Sequence, residues 1–304
     1  MTAGAPRRPT IAVIGLGAIG GVVAGTLAAL ERHDVTVCVR SPIERLVVER
    51  PQGLVEVQPR VLTRPEEAAP VDWVLLVTKV HQTASVAPWL ARLCGPGTRI
   101  AAMQNGIGHE AHLAPLVGPA TVVPTIVYYN GERLAPDRVR IRPAGGYELA
   151  VRDDAGGRAF AELLDGSPMR ILRSADFATL AWRKLLLNAV ANPVTALTQQ
   201  RQAVFRRPDI QVLCRSILGE AVAVGLADGA QLAPDEVERI MAALLSYPPE
   251  AGTSMYFDRL AGRALEVDAL TGAVVACGER HGVPTPVNTA LLTLLRAVSD
   301  AATG

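Results

Sequence analysis

Near its start the chain reads TIAVIGLGAIGG, Thr10–Gly21: four apolar residues, Ile11 to Ile14, run straight into Gly15, Gly17 and Gly20 at G-x-G-x-x-G spacing. An apolar helical pattern follows from Gly21 to Leu30. A buried strand that turns into a helix through three such glycines is the opening of a dinucleotide-binding βαβ unit. Gly15 permits the tight turn, Gly17 lets backbone approach a pyrophosphate, and Gly20 allows helix and strand to pack closely. The phosphates are expected along Gly15, Leu16, Gly17, Ala18, Ile19 and Gly20, on the free N–H groups of the helix start, where the dipole favours negative charge. A second strand, Asp34–Val39, follows at βαβ spacing.

The same stretch has a competing reading as a secretory or twin-arginine leader, because Arg7 and Arg8 precede twenty uncharged residues, Ile11 to Leu30. Glycines at 15, 17, 20, 21 and 25 make a poor membrane span, and cleavage near Ala28-Ala29 would discard the first strand. A nucleotide loop is therefore expected, in a cytoplasmic protein with no membrane partner. A formal charge of +1 gives no basic field for nucleic acid. Cys38, Cys94, Cys214 and Cys277 stand far apart with no C-x-x-C, so they read as free thiols in a reducing compartment, with no metal site. Of 30 basic residues only two are lysines, Lys79 and Lys184. A chain so biased to arginine points to lysine where a compact charge that can give up its proton is needed.

Arg40 ends the second strand, twenty residues after Gly20. An NAD-binding unit places an acid there for the ribose 2′-OH; an arginine suits the 2′-phosphate and points to NADP. Gly53–Leu62 alternates as an edge hairpin would. Val71–Thr78 is a continuous apolar run, a strand buried on both faces that delivers Lys79 to its C-terminal end, where ligands of open α/β sheets bind. Thr98–Met103 is the next strand and ends in Gln104-Asn105-Gly106, a turn signal that also presents an amide. Thr121–Tyr129, Arg138–Arg142 and Tyr147–Val151 read as strands joined by turns at Asn130-Gly131 and Gly145-Gly146. The βαβ rhythm stops after Met169–Leu172.

From about Ser174 the pattern is helical. Lys184, Asn188 and Asn192 recur at i, i+4 and i+8, one face of a helix otherwise rich in leucine, valine and alanine. An ammonium and two amides on such a face suit a polar cleft, since burying them without partners is costly. Pro193 is expected to kink this helix. Further helices are expected over Ile210–Leu226, Pro234–Leu245, Gly262–Arg280 and Thr289–Ala301, with Glu266 and Asp268 inside the third. The expectation is an α/β chain: an N-terminal Rossmann domain with a parallel sheet over residues 1–173, residues 1–9 forming a disordered tail, and an all-helical domain over 174–304.

GLGAIGG, Arg40, VTK ending at Lys79, QNG with Asn105, WRKLLLNAVANPVTAL, TSM, GRALEVD and GVPTPVN occur in one order. Together they resemble the ketopantoate reductase (2-dehydropantoate 2-reductase) family over residues 10 to about 292. The resemblance implies a Rossmann domain, a helical domain and an active site in the cleft between them. It implies that Lys184 is the general acid that protonates the ketone of 2-dehydropantoate as NADPH delivers hydride to C2. Asn188, Asn192 and Ser254 would hold the substrate hydroxyl and carboxylate, and Asn105 would bridge cofactor and substrate. Arg40 and Lys79 would take the cofactor's phosphate end, and Glu266 would sit near Lys184 and the nicotinamide. The product would be (R)-pantoate, for pantothenate and coenzyme A, and a homodimer is compatible with the apolar helices. Two alternatives stand beside this: reduction of another small 2-keto or β-hydroxy acid, and a non-catalytic NADP(H) sensor. Departures from the family pattern fall at Gln202-Ala203, at Tyr256 and Phe257 after TSM, and at Thr271-Gly272.

Overall fold

The computed structural model describes residues 7–142 and 145–302; residues 1–6 of the expected tail and Pro143-Ala144 lie outside the described residues. Within that tail, Arg7 ion-pairs with Asp72, and the Pro9 carbonyl accepts the Asp34 N–H at 3.0 Å. Two compact units emerge: one holds the chain to Gln104 and Gly108–Phe177, the other Asn105–Ile107 and Ala178 onward.

In the first unit, β1 (Thr10–Ile14) leads into α1 (Ala18–Ala28) and β2 (Asp34–Cys38), followed by β3 (Leu46–Arg50), β4 (Gly53–Val57) and β5 (Arg60–Leu62). Next come β6 (Trp73–Leu76), α2 (Ala87–Leu93), β7 (Arg99–Ala102), α3 (His109–Val117), β8 (Thr121–Val127), β9 (Asn130–Ala135), β10 (Arg138–Arg142), β11 (Leu149–Arg152), α4 (Ala155–Leu163) and β12 (Ile171–Ser174). The eight-stranded sheet has the order β12-β11-β8-β7-β6-β1-β2-β5. From β5 to β8 its neighbours are all parallel, and the order reverses between β1 and β6. The carboxyl ends of β1 and β6 thus form the switch point at which such sheets bind ligands. Strands like WVLL of β6 are apolar throughout because both faces are covered: all four residues are buried.

A second, four-stranded sheet, β4-β3-β10-β9, carries part of the same core. Gly21 and Gly25 of α1 explain its fit. A Cβ on Gly21 would lie 2.7 Å from Val139 Cγ1, and one on Gly25 2.4 Å from Val48 Cγ2. The glycines that make this helix a poor membrane span are thus the ones that let a second sheet close on it.

Two expectations are corrected here. Gly53–Leu62 is not one hairpin: β4 pairs antiparallel with β3 in the small sheet, while β5 pairs parallel with β2 in the large one. Asn130-Gly131 is not a turn but the start of β9, and a Cβ on Gly131 would meet Ala18 at 2.8–2.9 Å. The expected parallel sheet is present, with β11 the one strand in it that runs antiparallel to its neighbour β8 among the described residues.

The second unit is helical: α5 (Phe177–Thr198), α6 (Pro208–Ala227), α7 (Glu236–Ser246), α8 (Ser254–Leu260), α9 (Thr271–His281) and α10 (Pro286–Asp300). The apolar residues of α5 supply much of its core, from Trp182 to Ala196. Helix α5 runs through Pro193 unbroken. Side chains serve the carbonyls around the proline: Asn192 Nδ2 donates to Asn188 O at 3.3 Å and Thr195 Oγ1 to Ala191 O at 2.8 Å. Helix α6 is long and apolar enough to cross a membrane by length and composition. Its Cys214, Ile217, Leu218, Ala221 and Val224 lie in the unit's core, and its Glu220 accepts the Val287 and Asn288 N–H groups at the start of α10.

The helix expected over Gly262–Arg280 begins only at Thr271, so Glu266 lies in a loop and Asp268 in a turn. Gly262 at φ +61° ends the preceding turn in the left-handed region, and the Leu265 N–H donates to Ser299 Oγ instead of to a helix carbonyl.

Candidate active site

Each glycine of the turn meets a different environment. Gly15 sits at φ +99°, and a Cβ there would lie 2.9 Å from Thr78 Cγ2 and 3.0 Å from Thr78 N, so the turn abuts the exit of β6. A Cβ on Gly20 would stand 1.9 Å from the Gly15 carbonyl oxygen, a position no side chain can take. Over Gly17, by contrast, nothing lies within 4 Å of where a Cβ would be. Gly17 is the N-cap of α1 and no side chain caps it. The first helical bond runs from Gly21 N to Gly17 O, so the N–H groups before Gly21 point out of the helix start. Open space above a glycine, uncapped N–H groups and the positive end of a dipole fit a pyrophosphate.

Arg40 follows β2 by two residues and is exposed; its guanidinium makes no hydrogen bond or ion pair with the described residues. Lys79 is half-buried three residues beyond β6, where it precedes the 3₁₀ turn Val80–Val86 and its N–H donates to Gln82 Oε1 at 3.3 Å. Sequence reasoning passed over Gln104. Its Nε2 donates to Thr78 O at 2.8 Å and to Thr83 Oγ1 at 3.1 Å, tying the exits of β6 and β7 together.

In the second unit, Asn105 Nδ2 donates to Glu266 Oε2 at 3.0 Å. Glu266 is buried, and Gly106, at φ +97°, makes room for the approach: a Cβ there would lie 2.6 Å from the Ala269 carbonyl. The Asn-Gly pair is thus more than a turn signal; the amide meets the acid because the glycine lets backbone meet backbone.

Lys184 and Asn188 are half-buried on α5, one turn apart, with Asn192 buried a turn further on. Burial holds the Lys184 ammonium below the ordinary lysine pKa. Two neighbours fix this part of α5. Trp182 Nε1 donates to Asp228 Oδ2 at 3.0 Å, and Arg183 binds buried Glu236 through two nitrogens, at 2.9 and 3.1 Å. Asp228 also takes His281 Nε2 at 2.9 Å. The tryptophan and arginine of W-R-K therefore seat the helix that carries the lysine.

Asn192 is occupied by protein. Its Oδ1 accepts the Ser254 hydroxyl at 3.3 Å and the Met255 N–H at 3.2 Å. Ser254 itself is exposed at the start of α8. Gln202 is buried, and its N–H and that of Ala203 donate to Ala251 O and Pro249 O, both at 2.9 Å. That departure from the family pattern holds the loop before α8 through backbone. At Tyr256-Phe257 the rings meet edge-on, centroids 5.2 Å apart, against Gly252, where a Cβ would lie 2.7 Å from Tyr256 Cδ1.

The ketopantoate reductase PanE/ApbA family matches residues 11–153, and its C-terminal domain matches residues 176–299. A 2-dehydropantoate 2-reductase of Caulobacter vibrioides is 41% identical over 290 residues, which is 95% of this chain and 99% of that protein. One from Mycobacterium tuberculosis is 37% identical over 292 residues, covering 95% and 98%. Among solved structures, the dimeric ketopantoate reductase of Staphylococcus aureus matches with a TM-score of 0.85 at 29% identity, over 96% of this chain and 99% of that one.

Proposed function

This chain belongs to the ketopantoate reductase family and is an oxidoreductase with a Rossmann-type nucleotide unit; on that premise we propose that it reduces 2-dehydropantoate to (R)-pantoate with NADPH. The observation that carries the reading is Lys184. It is one of two lysines in an arginine-rich chain, half-buried on a helix seated by two side-chain clamps, with its acidity raised by burial. Arginine at this position would stay protonated; an ammonium with a lowered pKa can give its proton to a ketone oxygen as charge develops there.

Reduced nicotinamide supplies the hydride when bound. The α1 start receives the pyrophosphate, and Arg40, exposed and without a partner among the described residues, takes the 2′-phosphate, with Lys79 also serving the phosphate end. Lys184 stabilises the developing oxyanion and protonates it. Glu266 orients Asn105, whose amide faces cofactor and substrate, and keeps a negative charge in reach of the ammonium. Ser254 has its proton on Asn192, so its oxygen presents lone pairs: it accepts a hydrogen bond from the substrate's 4-hydroxyl, while Asn188 offers its amide. The enzyme would serve pantothenate and coenzyme A synthesis in the cytoplasm as a homodimer, with no nucleic-acid or membrane partner.

Steady-state rates with a panel of 2-keto acids, followed by NADPH absorbance, test the reading. Ketopantoate is expected to give the highest kcat/KM; equal or better turnover of the analogue lacking the 4-hydroxyl overturns it. One observation favours a second reading, a 2-keto acid with a larger apolar side chain: Phe257 stands 46% exposed one turn along α8 from Ser254. The same panel separates the two.

A further inference from the structure

Thr195 lies inside the WRKLLLNAVANPVTAL stretch but was given no role there; it is fully buried, and its hydrogen bonds reach Thr253, the residue before Ser254. Its hydroxyl proton goes to Ala191 O at 2.8 Å, which leaves its oxygen to accept. Thr253 Oγ1 lies 2.7 Å away, so the Thr253 hydroxyl donates to Thr195. Thr253 in turn is the N-cap of α8 and accepts the Tyr256 N–H at 3.1 Å. One turn back along α5, Asn192 Oδ1 accepts Ser254 Oγ and Met255 N. Two adjacent turns of α5 therefore grip the N-cap of α8 and its first two residues, Thr253 to Met255, through hydroxyl and amide groups with fixed directions. A buried threonine whose hydroxyl only served its own helix would need no such partner.

We infer that Thr195 is a positioning residue for substrate recognition, acting through Thr253 on the direction of the Ser254 hydroxyl, with Asn192 as the second point of the grip. Neither Thr195, which is fully buried, nor the Asn192 oxygen, whose two acceptor positions are filled, touches substrate. The inference rests on the reading of Ser254 as a contact to the keto acid.

The test is a set of conservative variants read by KM for ketopantoate, kcat, KM for NADPH and thermal midpoint. Thr195→Val keeps shape and removes the acceptor; it is expected to raise the ketopantoate KM about five- to tenfold, with the NADPH KM within about twofold. Thr195→Ser keeps the hydroxyl and is expected to restore the KM. Thr253→Ala, at a half-buried position that threatens folding less, is expected to repeat the Thr195→Val effect, and Thr253→Ser to reverse it. In a Ser254→Ala background, Thr195→Val should add less than about twofold, because its route to substrate is gone. An unchanged ketopantoate KM in both Thr195→Val and Thr253→Ala, or losses that multiply in the double variant, overturns the inference. A Ser254→Ala enzyme with normal ketopantoate KM sinks the reading of Ser254 itself, and the inference with it.

Discussion

Single side chains decide most of what this enzyme is expected to do. Removing the Lys184 ammonium, as in Lys184→Ala, should lower kcat/KM by about 10²–10⁴ while NADPH binding, read by fluorescence titration, stays nearly intact. As the proposed acid, Lys184 must be protonated to work, and burial lowers its pKa, so kcat/KM should fall as pH rises through that lowered value, earlier than an ordinary lysine would dictate. The glycine turn offers a paired test. Gly20→Ala collides with the Gly15 carbonyl and should give little soluble protein. Gly17→Ala meets nothing within 4 Å, so it should fold with its denaturation midpoint close to that of the parent yet bind NADPH more weakly. Arg40→Ala should cut the NADPH-over-NADH preference at least tenfold, chiefly through the NADPH KM; an unchanged preference removes Arg40 from the phosphate site. At this scale the sequence was generous, because Lys184, Asn188 and Asn192 share a face at helical spacing wherever the helix happens to pack. It was silent on which polar groups already have partners: the fold fills the Asn192 oxygen with Ser254 and Met255, 62 and 63 residues away.

Among the elements, those with one dominant pattern were legible; of the strands joined by charge, β10 fills its expected span Arg138–Arg142, whereas β3 and β9 were not read as strands. Strands β1, β6 and β7 are apolar runs, and α5, α6 and α10 carry long helical patterns. Strands β3, β9 and β10 are joined by ion pairs: Glu49 takes Arg138 and Arg140, and Glu132 takes Arg140 and Arg142. Such residues look like a solvated surface until their partners are known, 89 and 91 positions away for Glu49 and 8 and 10 for Glu132. Helix α5 makes a sharper prediction. Glu236 is buried, whereas the Arg183 side chain is 39% exposed. Arg183→Ala strands a buried carboxylate and should cost roughly 3 kcal/mol. Glu236→Ala leaves a guanidinium that can reach water and should cost only about 1 kcal/mol. Urea denaturation of the two variants checks the asymmetry; equal losses contradict it.

For the molecule as a whole, acid should act partly through His109 at the start of α3. Burial, with the charges of neighbouring His112, pushes its imidazole down to about 4 against the opposing pull of Glu110 and the Gln104 backbone. Between about 4 and 6.5 the unfolded chain binds this proton and the folded chain does not, so stability held above pH 6.5 is lost as pH falls through that window. The loss attributable to this residue is on the order of 3 kcal/mol, and His109→Asn should flatten the decline of the thermal midpoint over that range. The two-part architecture was legible from the point where βαβ rhythm gives way to helices. Its interleaving was not, because only contacts reveal that Asn105–Ile107 cluster with residues after Phe177.

That excursion of three residues has an evolutionary and engineering consequence. A chimera made at a single breakpoint near Phe177 inherits Asn105 and Gly106 from one parent and Glu266 and Ala269 from the other. Recombination between distant homologues should therefore succeed only when this quartet travels together, and a gene split at Phe177 should yield a front half that cannot satisfy its own loop.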